Sequence, residues 1–341
     1  MFFDIIKYRM ELICMTYKPP YTINSKMINY VSSIMKLIGQ LSGSNNLDNK
    51  PQLRRTNKIN SIYSSLAIEN NSLSEKQVKD IINGKLVVGP KRDIIEVQNA
   101  IKVYDAILDI NPLNSEDLLK YHGIMMKSLV DDAGSYRRRQ EGVFDDDRVI
   151  FIAPPADRVP ILMKDLFDYL NNYNENIIIK SVVFHYEFEF IHPFSDGNGR
   201  MGRLFQTCLL ATEEKIFAYL PIESIINERQ QEYYNAIAIC NRNGNSDVFI
   251  EFMLDAILET VKRILKLSGK DSSYLNIQAK KLYKIMEENV PYTTLELMET
   301  LNMKSRASFK KNYLDPNLVS GLVEMTLPDT PNSRNQRYVK K

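Results

Sequence analysis

The chain has 341 residues, 44% of them hydrophobic and 25% charged, which is the balance of an ordinary globular protein long enough for two or three domains. Its 44 Lys and Arg against 42 Asp and Glu leave a net charge of +2, so the chain as a whole has no strong pull towards nucleic acid or a membrane surface. No apolar run approaches the ~20 residues that cross a bilayer, and Cys14, Cys208 and Cys240 stand apart without C-x-x-C spacing, which points to a reducing compartment and away from a disulfide scaffold or zinc site.

The first residues, MFFDIIKYRMELICM, carry Asp4, Lys7, Arg9 and Glu11 and lack the shape of a secretory leader. Met15 is a second candidate start, and the expected location is cytoplasmic. The prolines of MTYKPPYTI predict an extended lead-in. A helix is expected over about 24–41, with Ile28, Val31, Ile34, Met35 and Ile38 on one face, before the loop SGSNNLDNKPQ. Residues 53–70, LRRTNKINSIYSSLAIEN, place Ile59, Ile62, Tyr63 and Leu66 on another helical face. Ser65 and Glu69 are four apart there and so neighbours on one side. Spacing alone also fits an amphipathic helix with a solvated Glu at its end.

Two further helices follow. EVQNAIKVYDAILDI (96–110) aligns Val97, Ala100, Ile101, Tyr104 and Leu108, and SEDLLKYHGIMMKSL (115–129) opens with an Asn or Ser cap and acids in its first turn. His122 in that helix reads as structural. The segment GSYRRRQEGVFDDDRVIFIAPPADRVP (134–160) breaks the pattern, and its β-branched run VIFI predicts a small hairpin. Helices over 161–175 and 176–191 come next, with His185 in the second read as core packing.

Residues 192–203, HPFSDGNGRMGR, carry the chemistry. Gly197, Gly199 and Gly202 crowd into the last part of the stretch, between two runs of helical spacing. A glycine-rich turn into a helix leaves backbone N–H groups at the positive end of a helix dipole, which suits an anion. Arg200 and Arg203 lie one turn in, Asp196 can hold a metal, and His192 can take a proton. Base, acid and phosphate cradle within a dozen residues describe phosphoryl or nucleotidyl transfer.

HPFSDGNGRMGR resembles the signature of the Fic (filamentation induced by cAMP) family, HxFx[D/E]GNGRxxR, at every defined position. The resemblance extends over about 15–341. It implies a mainly α fold: a Fic-type helical bundle with a small β-hairpin flap and a C-terminal winged helix-turn-helix. The activity implied is transfer of AMP from ATP, with Mg²⁺, to a Ser, Thr or Tyr hydroxyl of a target protein. His192 would be the general base and Asp196 the metal ligand. Gly197, Asn198, Gly199, Arg200, Gly202 and Arg203 would bind the phosphates.

SLAIEN resembles the family's inhibitory motif [S/T]xxxE[G/N], which assigns Ser65, Glu69 and Asn70 to a brake that pairs Glu69 with Arg203. YYNAIAICN resembles the element that contacts adenine and ribose, placing Tyr233 and Asn241 there, whereas the displaced Asp247 is given no role. GSYRRRQ and the FIxPP segment resemble the approach to the site and its flap, with Phe151, Ile152 and Ala153 as flap residues that line up the target backbone.

The expected domains are 1–110 with the inhibitory helix, a catalytic core at 111–265, a linker at 266–273 and the winged module at 274–341. Over that last segment 11 Lys and Arg face 7 Asp and Glu, which leaves DNA, a protein partner or dimerisation open. Self-modification and a homodimer are also open. Rival activities are transfer of another phosphate-containing group and removal of AMP. A regulator that binds DNA and only senses nucleotide is the rival of another class.

Overall fold

In the computed structural model the described residues are 17–42, 51–140, 142–145, 148–268, 275–328, 330, 331 and 333–340, without the side chains of 142–145, 148–152, 268 and 319. They form two compact units. One comprises the residues up to Val31, Ile62–Ala218 and Glu223–Ala256; the other comprises Ser32–Ser61, Tyr219–Ile222 and Ile257–Lys341.

Helix α1 (Ser25–Ser42) and helix α2 (Pro51–Ile68) open the described chain. The buried stripe of α1 is Met27, Ile34, Ile38 and Leu41, while Ile28 is 57% exposed. The helical phase therefore differs by one residue at its start from the spacing read off the sequence. Helix α2 stops where Asn70 adopts φ +64°. The amides of Asn70 and Asn71 fold back onto Ala67 O and Leu66 O, a left-handed helix terminus for which Asn is suited.

Helix α3 (Glu75–Ile82) starts on a capping box between Ser74 and Gln77. Helix α4 (Lys91–Asp105) and helix α5 (Ser115–Met125) follow, the latter capped by the Asn114 side chain. Because α4 ends at Asp105, Leu108 falls outside it and is 46% exposed; Ile107 and Ile110 are the buried residues there. The predicted hairpin is present as β1 (Gly142–Asp145) and β2 (Arg148–Ile152), antiparallel with a register shift at Val143/Phe144.

Helix α6 (Val159–Asn172) leads to α7 (Ile177–Ile191) and α8 (Asn198–Glu213). Nearly every side of α7 is buried, as expected of a helix at the centre of a bundle. Where α7 meets α8, a Cβ on Gly202 would sit 3.1 Å from both Glu189 Oε1 and His185 Cδ2. A side chain there would push its neighbours back by a few tenths of an ångström, so glycine suits this close approach. Helices α9 (Ile222–Glu228), α10 (Gln230–Asn243) and α11 (Asp247–Ser268) complete the run. The expected linker falls mostly on residues 269–274, which lie outside the described residues.

The C-terminal segment of the second unit has three short helical pieces and a sheet. Helix α12 (Ile277–Ile285) and strand β3 (Pro291–Tyr292) precede α13 (Thr294–Thr300), which starts on a capping box of Thr293 with Glu296. After a turn, α14 (Arg306–Phe309) continues through a π turn into α15 (Asp315–Val319). Strands β4 (Val323–Met325) and β5 (Tyr338–Lys340) then pair antiparallel, and β5 also pairs with β3, giving the order β3-β5-β4. Leu282, Leu297, Phe309, Leu314 and Val323 form its core. Among the described residues no helix is long and apolar enough to cross a membrane.

Candidate active site

The turn between α7 and α8 is held from below by side chains distant in sequence. Phe194 is fully buried and stacks on the His122 ring at 3.6 Å and 5°. His122 Nδ1 accepts from Gly134 N at 2.9 Å, so Nε2 carries the proton and donates to Asp196 O at 3.0 Å. Burial depresses its pKa, which keeps this bridge neutral. Asn198 closes the turn from within: its side chain accepts from Phe194 N at 2.9 Å and donates to Phe194 O at 2.8 Å. His122 is structural, as the sequence reading has it, but it is structural for the site.

His192 ends α7 in the left-handed region, φ 50° and ψ 62°, which turns its ring out of the helix line. Burial is the main cause lowering its pKa, with the Arg137 cation adding to it and the Glu189 backbone partly offsetting them. A lowered pKa leaves the ring neutral, with a lone pair on one nitrogen. Arg137 is 3% exposed and grips the end of α7. Its Nε donates to His192 O at 2.7 Å, its Nη2 to Pro154 O at 2.6 Å and Ile191 O at 3.3 Å, and its amide to Pro193 O at 2.9 Å. One guanidinium therefore joins the helix end that carries His192 to the segment that follows β2.

Arg203, fully buried in α8, meets the end of α2. Its Nη2 donates to Glu69 Oε1 at 2.8 Å and to Ser65 O at 2.9 Å, and its Nε to Ser65 Oγ at 3.2 Å. The expected grouping of Ser65, Glu69 and Arg203 is what the structure holds. Gly199 makes room for it, since a Cβ there would stand 2.2 Å from Glu69 Oε1. Asn70 terminates the helix and leaves Glu69 at its rim. Beside the pair, Glu189 Oε1 is buried without a hydrogen-bond partner among the described residues. Burial and the nearby Glu69 carboxylate push the Glu189 carboxyl up to about 8.

Asp196 is engaged on both oxygens. Oδ1 accepts from Arg200 Nη2 and from Gly197 N, both at 2.6 Å, and Oδ2 pairs with Arg92 Nη2 at 2.7 Å. Arg200 is buried and also meets Glu96 at 3.3 Å, and Asn71 Nδ2 donates to Glu96 at 2.8 Å. Arg200 thus lies between two carboxylates, and Arg92 and Glu96 are site residues that the sequence reading missed. No group of three or more His, Cys, Asp or Glu that could hold a metal occurs among the described residues.

Two expectations need correction. Gly202 packs against α7 and is a helix-contact residue, where phosphate binding was expected. Tyr233 is 1% exposed and its hydroxyl donates to His185 Nε2 at 3.0 Å, while His185 Nδ1 donates to Gln206 Oε1 at 2.5 Å. Burial pushes the His185 ring down to about 3, so this is neutral core, as expected for His185, and no face of Tyr233 is open to a base. Its neighbour Tyr234 is 44% exposed, and its hydroxyl and Gln230 Nε2 both donate to Ile68 O at the end of α2, at 3.4 and 2.9 Å. Asn241 is partly exposed, its Oδ1 accepting from the Tyr186 hydroxyl at 2.9 Å. Of the flap residues, Phe151 and Ile152 lie in β2, with side chains outside the described residues. Ala153 is buried and its carbonyl accepts from Gln140 at 2.6 Å.

Residues 112–210 match the Fic/DOC family, and residues 277–339 match the C-terminal domain of the Fic-like filamentation induced by cAMP proteins. The chain is 29% identical over 224 residues to the protein adenylyltransferase Fic of Culex quinquefasciatus, an alignment covering 61% of this chain and 42% of the relative. For the protein of the same name from Aedes aegypti the values are 28% over 229 residues, 63% and 44%. The chain thus spans under half the length of these curated relatives. Fic-1 of C. elegans shares the fold at a TM-score of 0.56 and 22% identity, over 70% of this chain and 71% of that one. A crystal structure of a Fic family protein from Desulfovibrio desulfuricans G20 is 41% identical, covering 95% of this chain and 98% of that one at a TM-score of 0.72. With identity of that order over nearly the whole of both chains, the chain belongs to the Fic family.

Proposed function

We propose that the chain is a protein adenylyltransferase that moves AMP from ATP onto a hydroxyl side chain of a target protein, itself included, and that Glu69 restrains it. The observation that carries this reading is that a neutral His192 ends α7 in the left-handed region, five residues before the glycine turn that opens α8 at Asn198. His192 takes the proton of the target hydroxyl. The hydroxyl oxygen bonds to the α-phosphorus as the bond from that phosphorus to the pyrophosphate oxygen breaks, and pyrophosphate leaves. The amides of Asn198 and Gly199, without intrahelical acceptors in the first turn of α8, point at the phosphates and stabilise charge where it develops.

The donor set fits Mg²⁺ as a single-carboxylate site. Asp196 is partly exposed, and this ion is commonly held by one or two carboxylates with substrate phosphates and water. When bound, Mg²⁺ would neutralise charge building on the leaving pyrophosphate. For Asp196 to serve it, the Arg92 contact must open. Arg203 can serve a γ-phosphate oxygen or the Glu69 carboxylate but not both, so ATP that binds while Arg203 stays on Glu69 lacks that grip. Gly199 argues against phosphoryl transfer, for which relatives resembling this chain carry Lys at that position.

Labelling with α-³²P-ATP and γ-³²P-ATP, on wild type, Glu69→Gly and His192→Ala, tests the reading. Protein label from the α-phosphate alone, strongest in Glu69→Gly and absent in His192→Ala, is the expected result. Label from the γ-phosphate would make the chain a kinase. Release of AMP from a modified target would make it the reverse enzyme.

A further inference from the structure

AMP transfer makes no use of a cationic cleft in the second unit. The cleft encloses about 610 Å³ and is lined by Arg306, Lys310 and Arg334 together with Thr294, Ser333 and Gln336. Arg306 and Lys310 are four residues apart on the helical run that begins at α14, and Arg334 comes from the loop between β4 and β5. All three are exposed. Among the described residues no acid lines the cleft, and none of the three cations has an ion-pair partner there. The acid closest in sequence to the lining residues Thr293 and Thr294 is Glu296, whose carboxylate is already taken by Thr293 N at 2.6 Å in the capping box.

Three like charges gathered on a concave surface repel one another unless an anion joins them, and a cleft lined by one sign concentrates its field. The surrounding elements narrow the anion. Helix α13, a short turn and the run from Arg306 form a helix-turn-helix, and β4 of the hairpin β4–β5 packs against α15 at the end of that run. Such a second helix fits the major groove of B-form DNA, about 12 Å wide, while a loop at its flank meets the backbone. The deep, narrow major groove of A-form RNA does not admit a helix.

We propose that this cleft binds the phosphate backbone of duplex DNA. Arg306, Lys310 and Arg334 each neutralise a phosphate, and the hydroxyls of Thr294 and Ser333 donate to phosphate oxygens. Contacts of this kind position a protein on DNA without reading sequence. The small net charge of the whole chain is no obstacle, because the excess is local to this unit.

The test is fluorescence polarisation of a labelled duplex of about 20 base pairs with the full chain, without ATP, across roughly 50 to 200 mM salt. The expected result is binding that weakens linearly in log salt, with a slope reduced by about 2 to 3 in the triple variant R306A/K310A/R334A. R306K/R334K should keep most of the slope, which separates charge from folding, as does an unchanged melting temperature of the triple variant. Absence of binding at the lowest salt, or an unchanged slope in the folded triple variant, overturns the proposal. So does tighter binding of polyglutamate than of duplex at matched charge, which would assign the cleft to an acidic protein. His192→Ala should bind DNA as wild type does, so this result stands or falls independently of AMP transfer.

Discussion

Glu69 and Arg203 form an ion pair at 2.8 Å in which the arginine side chain is 1% exposed and the glutamate 31%. The asymmetry sets the outcome of cutting it. Removing Glu69 leaves a buried guanidinium, still fixed by Ser65, that lacks its counter-ion and is free for a phosphate oxygen. Hydrogen bonds to charged groups are worth about 1.5–3 kcal/mol, or roughly 10- to 100-fold. Glu69→Gly should raise the initial rate of AMP transfer by that order, and should lower the melting temperature in a way that added ATP reverses. An unchanged rate would remove Glu69 from regulation.

His192 should give the reaction its acid limb. Burial and Arg137 hold its pKa below the ordinary 6.5, so the ring stays neutral to a lower pH than a free histidine and protonates only below that. In Glu69→Gly, kcat/KM should therefore be level down to 6.5 and fall at lower pH. His192→Ala should lose about 10²–10⁴-fold, the usual contribution of a general base, while nucleotide binding measured by calorimetry persists. A limb centred above 6.5 would contradict the burial argument.

The parts of the site that lie contiguous in sequence were legible, because 192–203 brings its own turn, amides and charges. Ser65 and Glu69 were legible through the resemblance of SLAIEN to the inhibitory motif, since helical spacing alone fits a solvated Glu equally well. The partners supplied by the fold were not. Arg137 sits in a run of three arginines that the resemblance places at the approach to the site, but nothing in the run shows that this one caps α7 while hidden from solvent. Arg92 and Glu96 reach Asp196 and Arg200 across about a hundred residues, a distance that no local pattern encodes. Tyr233 and Tyr234 are adjacent on one helix and so point in different directions. Packing against His185 and Phe249 decided which one is buried. The bundle and the hairpin followed from periodicity, with errors only of phase and end point, as at Ile28 and Leu108.

Arg92 should compete with the metal for Asp196. It is 53% exposed and holds Oδ2 at 2.7 Å, a contact that water and salt weaken readily. Arg92→Ala frees that oxygen while Arg200 stays on Oδ1. The Mg²⁺ concentration giving half-maximal transfer should fall a few-fold, and Mn²⁺ titrated against the protein with bound ATP should show the same shift in a direct binding signal. A rise in the required Mg²⁺ would mean that Arg92 serves the phosphates.

Arg137 should act on kcat through the placing of His192. Lysine keeps the charge but lacks the fork that serves four carbonyls at once. In Arg137→Lys, some of those buried carbonyls lose their donor, at about 1–3 kcal/mol each. The expected pattern is a drop in kcat with KM for ATP little changed, since no phosphate contact is removed. Equal changes in both would mark a loss of fold alone, which a melting curve would register.

Glu189 should make the protein less stable as pH rises. In the folded state its carboxyl is pushed up to about 8, against 4.5 for an ordinary glutamate. Between those values the folded chain keeps a proton that the unfolded chain has released, so stability declines across that window and the full loss is reached above about 8. The groups facing it account for the direction. Burial and the Glu69 carboxylate both raise it and the Arg203 cation only partly offsets them, while His185 is neutral and brings no charge. Glutamine keeps the shape and cannot ionise. The melting temperature of Glu189→Gln relative to wild type should therefore climb steadily from about pH 5 to about pH 8. Glu187, itself raised to about 7, is present in both proteins and cancels in the difference. A gap that does not change with pH would show that Glu189 is ionised in the folded protein and that Arg203 balances two carboxylates.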